Sequence, residues 1–231
     1  MNNRVGVIGG MGPMATAKFM ELVINNTKAE KDQDNVDMLI CQYSSTPDRT
    51  SYILGDSNED PALSMINAAK LLERENCAFL VMPCNTATFF YNKIADEISI
   101  SLINIAEETV KCCLSKGAKK IGLMATDGTI KAKVYNEYIP SDVELFIPDS
   151  NMQKKIMDII YKEVKQNKIP DKDNFLQVVD YFINNGCDAI VMGCTELSVA
   201  IEQLDINDDK IVDSLTVLAK LTITKAGKLL K

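Results

Sequence analysis

Two cysteines stand at matched places in the chain, and the residues leading to them repeat. Cys77-Ala78-Phe79-Leu80-Val81-Met82-Pro83-Cys84 parallels Cys187-Asp188-Ala189-Ile190-Val191-Met192-Gly193-Cys194, an apolar run with cysteine at both ends. A cysteine taken alone is most often a small buried hydrophobe. A pair at equivalent strand ends suits a different task, the transfer of a proton to and from carbon on two opposite faces. One sulfur, as thiolate, removes the proton, and the other, as thiol, returns one from the far side. The reverse reaction exchanges the roles, so both positions need the same residue type. Asn85-Thr86 and Thr195-Glu196 follow the two cysteines as polar helix openers, and a thiol at a helix N-terminus is expected to ionise more readily.

What the chain lacks narrows the chemistry further. Its 231 residues include no histidine, which removes Ser-His-Asp triads, Cys-His dyads and His-ligated metals. Acid-base work falls to Cys, Lys, Tyr, Asp or Glu. The seven cysteines form no Cys-x-x-Cys pair, and Cys112-Cys113 sits in a helical stretch. Neither a zinc site nor a disulfide framework is expected. Met1-Asn2-Asn3-Arg4 runs directly into a short apolar strand, and no apolar run reaches membrane-spanning length. The expectation is a cytoplasmic protein with no membrane partner. A net charge of -7 without a basic stripe argues against nucleic acid.

Positioning the cysteines requires strands and helices in alternation. Strands are expected over Arg4–Ile8, Val36–Cys41, Ala78–Met82 and Ser101–Ile103, then Lys120–Met124, Val143–Phe146, Asp188–Met192 and Lys210–Val212. Helices are expected over Pro61–Glu75, with proline in its first turn, and over Asn151–Gln166, where Met152, Ile156, Ile159, Ile160 and Val164 recur at helical spacing. The interleaving predicts an α/β protein with mainly parallel sheets. Arg4-Val5-Gly6-Val7-Ile8 also resembles Lys120-Ile121-Gly122-Leu123-Met124. The chain therefore reads as a duplication of two pseudo-symmetric domains, each a small four-stranded sheet flanked by helices. Residues 1–104 with 213–231 would carry Cys84, and residues 105–212 would carry Cys194. Ligands in such sheets bind beyond the carboxyl ends of the strands, where both cysteines stand.

Here the motifs resemble a known family. Met82-Pro83-Cys84-Asn85-Thr86-Ala87 and Gly193-Cys194-Thr195-Glu196 look like the paired cysteine motifs of the aspartate/glutamate racemase superfamily. Gly9-Gly10-Met11-Gly12-Pro13-Met14-Ala15-Thr16, Pro47-Asp48-Arg49-Thr50 and Tyr161-Lys162-Glu163-Val164-Lys165 are similar to its aspartate racemase branch. The resemblance implies a racemase that needs no cofactor and interconverts L- and D-aspartate. It implies Cys84 and Cys194 as the acid-base pair, Asn85, Thr86 and Thr195 as holders of the substrate's α-carboxylate and amino group, and Met11 as a further substrate-binding residue. Arg49 and Lys165 would bind carboxylate, the arginine as a fork. A homodimer is implied as well. The chain departs from the branch at Thr88, where relatives often carry histidine, and at Asp127, which would repel an acidic side chain or bind the ammonium if it faced the pocket.

Other readings stay open at this point. A broad-specificity amino-acid racemase or a maleate-type isomerase would use the same two cysteines, whereas decarboxylases of the superfamily need one. A metabolite-binding or thiol-sensing protein would show loss of a cysteine or of Arg49, and neither is lost. A dinucleotide site at Gly9–Gly12 is disfavoured, because Gly-x-Gly-x-x-Gly is incomplete and Cys41-Gln42-Tyr43 offers no acid for a ribose. The glycine turn is expected to let backbone approach a small carboxylate.

Overall fold

The computed structural model describes residues 3–231; Met1 and Asn2, with which the N-terminal expectation begins, lie outside the described residues. The first half runs β1 (Val5–Gly9), α1 (Pro13–Asn26), β2 (Met38–Gln42), α2 (Arg49–Leu54), α3 (Ala62–Arg74), β3 (Phe79–Val81), α4 (Tyr91–Ala95) and β4 (Ser101–Ile103). The second runs α5 (Ile105–Ser115), β5 (Lys120–Met124), α6 (Asp127–Lys131), β6 (Glu144–Phe146), α7 (Ser150–Asp158) and α8 (Lys172–Asn184). It closes with β7 (Ala189–Met192), α9 (Thr195–Gln203), β8 (Ile211–Asp213) and α10 (Ser214–Lys225).

All pairings within the two sheets are parallel, and the strand orders are β2-β1-β3-β4 and β6-β5-β7-β8. The second order is the first carried forward by four strands, which is the repeat that the matched cysteine segments foretold. Each expected strand is present, with no end moved by more than two residues.

Alternation along the central strands sends successive side chains to opposite faces. Val5, Val7, Phe79 and Val81 face a core completed by Phe19 of α1 and by Leu215, Leu218 and Ile223 of α10. Ile8 and Leu80 face the other way, toward Met65 and Leu72 of α3. The second sheet repeats this. Ile121, Leu123 and Val191 meet Val110 and Cys113 of α5, while Ile190 and Met192 meet Phe175, Val178 and Phe182 of α8. With helices on both faces, the strands read as nearly continuous apolar runs.

One expected helix changes its winding. The segment Asn151–Gln166 is α-helical only as far as Asp158, widens to a π-turn over Ile159–Glu163 and tightens to 3₁₀ over Val164–Gln166. Ile159, Ile160 and Val164 all remain buried despite the change. A π-turn inserts a residue into the helical register, so the positions after it face elsewhere than a straight helix would point them. Lys165 is one of those positions.

Candidate active site

The carboxyl ends of the two sheets meet at one cleft. Cys194 is the N-cap of α9. Cys84 follows β3 but leads into a 3₁₀ turn, Thr86–Phe90, instead of the α-helix expected there. Both thiols are 5% exposed, and both line a cavity of about 10 Å³ with all six other predicted residues: Met11, Arg49, Asn85, Thr86, Lys165 and Thr195. That volume is about the minimum for one water molecule. Immediately outside lies a cavity of about 550 Å³, and Asp48, Arg49, Lys165 and Glu196 line both spaces.

Two cations come from opposite halves. Arg49 opens α2 behind Asp48, which caps the helix by accepting from the Ser51 N–H at 2.9 Å. Its Nη1 donates to the carbonyls of Thr46 (3.3 Å) and Pro47 (3.0 Å), while its Nε is buried without a partner. A buried donor left unpaired in this way is costly, and a carboxylate in the cleft would satisfy it. Burial opposes the charge on Arg49, but Cys84, Asp48 and Glu196 more than offset it and hold its pKa above the ordinary value.

Lys165 reaches in from the 3₁₀ segment. Its Nζ lies 3.4 Å from Asp48 Oδ2 and 3.8 Å from the centroid of the Tyr161 ring, and the Tyr161 hydroxyl donates to both Asp48 oxygens at 3.3 and 3.4 Å. Burial opposes the charge of Lys165 too, yet Glu196, Tyr161, Cys194 and Asp48 raise its pKa. Burial also opposes the charge on Asp48, and the Ser51 N–H, Lys165 and Arg49 hold that carboxyl below its ordinary range.

The ionisation expected of a helix-end thiol is reversed at Cys194. Burial first, then the Glu196 carboxylate, pushes this thiol well above its usual pKa, and Lys165 counters only part of the effect. The Cys194 Sγ donates to Glu196 Oε2 at 3.0 Å. A like charge so close outweighs the helix terminus, whose influence is the smaller of the two.

Asn85 and Thr86 have side chains already engaged with the second half. The Tyr135 hydroxyl donates to Asn85 Oδ1 at 2.5 Å, Asn85 Nδ2 donates to Ser214 Oγ at 2.9 Å, and that hydroxyl donates to the Met192 carbonyl at 2.7 Å. The Thr86 hydroxyl lies 2.9 Å from those of both Thr126 and Thr129. These networks fix the backbone around Cys84, so any part of Asn85 and Thr86 in binding would be added to a positioning role. Tyr135→Phe strands the buried Asn85 oxygen and is expected to cost about 1–3 kcal/mol. A urea midpoint within error of the parent protein's would show that the contact contributes nothing.

The glycine turn does approach a carboxylate, and it belongs to the protein. A Cβ at Gly12 would fall 3.1 Å from Glu196 Oε1. At Gly10, φ is +96°, and a Cβ would meet the Tyr43 carbonyl carbon at 2.4 Å, so only glycine fits. Asp127 lines neither cavity; it accepts from Gln153 Nε2 at 2.7 Å, and the repulsion it threatened does not arise there. Thr88 lines a separate surface cavity with Phe89, Asn92 and Lys133.

Five further residues line the thiol cavity: Asp48, Thr50, Thr126, Tyr161 and Glu196. Four of them fall inside the motifs singled out in the sequence, at positions passed over in favour of a neighbour. Thr126 lies outside those motifs, next to Asp127, and is the N-cap of α6. Among the described residues no cluster of metal-ligating side chains occurs, and no helix is long and apolar enough to cross a membrane.

Fold, paired thiols and flanking cations together define a class, and comparison with known proteins gives the family. The model of the Asp/Glu/hydantoin racemase family matches residues 8–222. The broad specificity amino-acid racemase RacX of Bacillus subtilis is 26% identical over 226 residues, 95% of this chain and 96% of that protein. Among solved structures, the aspartate racemase of Picrophilus torridus superposes with a TM-score of 0.83 at 30% identity, covering 99% of this chain and 96% of the other. An aspartate racemase homologue from Pyrococcus horikoshii shares the fold, with a TM-score of 0.77 at 22% identity over 97% of this chain and 99% of that one. The chain belongs to the Asp/Glu/hydantoin racemase family. It is a PLP-independent amino-acid racemase.

Proposed function

We propose that the chain racemises aspartate by a two-cysteine 1,1-proton transfer. The observation that carries this reading is that Cys84, Cys194, Arg49 and Lys165 line one small cavity. One sulfur takes the α-proton and leaves the C–H electron pair on the α-carbon. The other sulfur delivers its proton to the opposite face. Arg49, with its buried unpaired Nε, is a ready acceptor site for one substrate carboxylate, and Lys165 supplies a second cation for the other. A water-poor site strengthens both attractions.

A second reading, broad amino-acid specificity, is favoured by the balance of charge in the cleft. Lys165 is already paired with Asp48, and Glu196 faces Arg49. Two carboxylates against two cations leave little net attraction for an acidic side chain, and a neutral amino acid could bind Arg49 with its α-carboxylate and a carboxylate with its ammonium.

Incubating the protein with single enantiomers in deuterated water tests the reaction itself. The product enantiomer is expected to carry deuterium at the α-carbon with the carbon skeleton unchanged. Activity should survive exhaustive dialysis, chelators and carbonyl reagents, but not thiol alkylation. Activity that disappears on dialysis and returns with an added cofactor would end the two-thiol reading.

We also take residues 1–104 with 213–231 and residues 105–212 as the two domains. The packing of Leu215 and Leu218 against Val5 and Val7 supports placing the C-terminal helix in the first. The resemblance further implies a cytoplasmic homodimer, whose mass light scattering in solution would read.

A further inference from the structure

The two thiols sit at equivalent places in the repeat, but their neighbours are not equivalent. Superimposing the motifs pairs Cys84-Asn85-Thr86 with Cys194-Thr195-Glu196. Where the first half has the Thr86 hydroxyl, already engaged with Thr126 and Thr129, the second half has a carboxylate that is 6% exposed. That carboxylate accepts from Cys194 Sγ at 3.0 Å and from the Thr195 hydroxyl at 3.4 Å. Its other oxygen lies against Gly12, where a side chain would intrude. Cys84, which lines the same cavity, has the guanidinium of Arg49 as its charged neighbour. One sulfur therefore looks at a negative group and the other at a positive one.

We propose that Glu196 is a positioning residue that keeps the proton on Cys194 between turnovers, which makes Cys84 the sulfur that meets incoming substrate as base. The proposal rests on the two-cysteine reading and adds an order to it. In the first half-turn Cys84 takes the α-proton, and Cys194 gives up the proton that its hydrogen bond to Glu196 holds. Resetting the enzyme then moves one proton from Cys84 to solvent and one from solvent to Cys194. The enantiomer that needs Cys194 as base must wait for the less populated protonation form.

Other charged groups bear on the same sulfur. Lys165, from the 3₁₀ segment, acts against Glu196 at Cys194. The Tyr135 phenol, from the β5–β6 connection, is near Cys194 and is kept neutral by burial. Arg49 faces Glu196 from α2, and Asp48 and Tyr161 face Lys165. Of these, only the carboxylate hydrogen-bonds to Cys194, so a change there reads most directly on the thiol.

The test is alkylation with iodoacetamide across a neutral to alkaline pH series, with each cysteine resolved by peptide mass spectrometry. The pH midpoint of each reaction is compared, because the midpoint reports ionisation whereas the plateau rate reports access. In the parent protein Cys194 is expected to react with the higher midpoint of the two. Glu196→Gln keeps the shape and removes the charge. It should lower the Cys194 midpoint by about one pH unit or more, a tenfold gain in rate at a fixed pH below it, and leave Cys84 nearly unmoved. Glu196→Asp retains the charge and should hold the Cys194 midpoint close to the parent's, which a purely structural role would not require. An unchanged Cys194 midpoint in Glu196→Gln, or a parent protein in which Cys194 ionises first, overturns the proposal. The readout needs no turnover. Absence of racemisation with the midpoint shift intact would therefore count against the two-cysteine reading and not against the role of Glu196.

Discussion

Cys84→Ser and Cys194→Ser are each expected to abolish full racemisation, with turnover down about a hundredfold or more, the usual contribution of a missing acid-base group. A serine hydroxyl is far less acidic than a thiol, so it neither removes an α-proton nor returns one at a useful rate. The loss should still be unequal in kind. With Cys194 replaced, Cys84 can remove and restore a proton on its own face, so one enantiomer should exchange its α-hydrogen with solvent without inverting. With Cys84 replaced, only the other enantiomer should exchange. Proton NMR in deuterated water separates exchange from inversion, and circular dichroism checks that each variant is folded. Near-parent turnover in both directions by either variant would sink the mechanism.

Arg49→Ala and Lys165→Ala should weaken aspartate more than alanine or serine. Removing a charge-assisted hydrogen bond to a carboxylate costs about 1.5–3 kcal/mol, or roughly ten- to a hundredfold in kcat/KM. The two residues are not placed alike. Arg49 presents an unpaired buried donor, whereas Lys165 must exchange its Asp48 partner for the substrate. The larger loss is therefore expected from Arg49, with Lys165 carrying the greater share of any preference for an acidic side chain. Values of kcat/KM for aspartate, glutamate and a neutral amino acid in both variants decide between the two specificities. Equal losses on all three substrates refute acidic selectivity through these residues and favour broad specificity.

The strands were readable because buried parallel strands are short apolar runs, and duplication let each half check the other. That Cys84, Cys194 and their neighbours would gather at one cavity was readable because they follow strand ends, where open sheets place ligands, whereas Arg49 and Lys165 stand away from strand ends and were marked only by the resemblance of their motifs. Tertiary charge was not readable. Nothing in Cys194-Thr195-Glu196 says that the sulfur is buried and that the carboxylate turns back onto it instead of outward to solvent, and burial and that turn together reverse the ionisation a helix N-terminus predicts. The π-turn before Lys165 was hidden for a similar reason: the apolar spacing of Ile156, Ile159, Ile160 and Val164 is satisfied by either winding. The capping aspartates could have been found. Pro47-Asp48 and Pro148-Asp149 are a further matched pair, each opening the helix after the second strand of its half.

Space for about a single water in the cavity that both sulfurs line also bears on how the protein ages. Oxidation of cysteine by peroxide needs a reachable thiolate and proceeds through sulfenic acid to forms that thiols cannot repair. A resting molecule in which the sulfurs proposed to react are 5% exposed gives such an oxidant almost no room to attack. Substrate, which is larger than a water, can enter only as the walls part, and each opening that admits an amino acid also admits peroxide. The wear on these thiols should therefore follow the number of turnovers performed more closely than the hours spent in an oxidising solution.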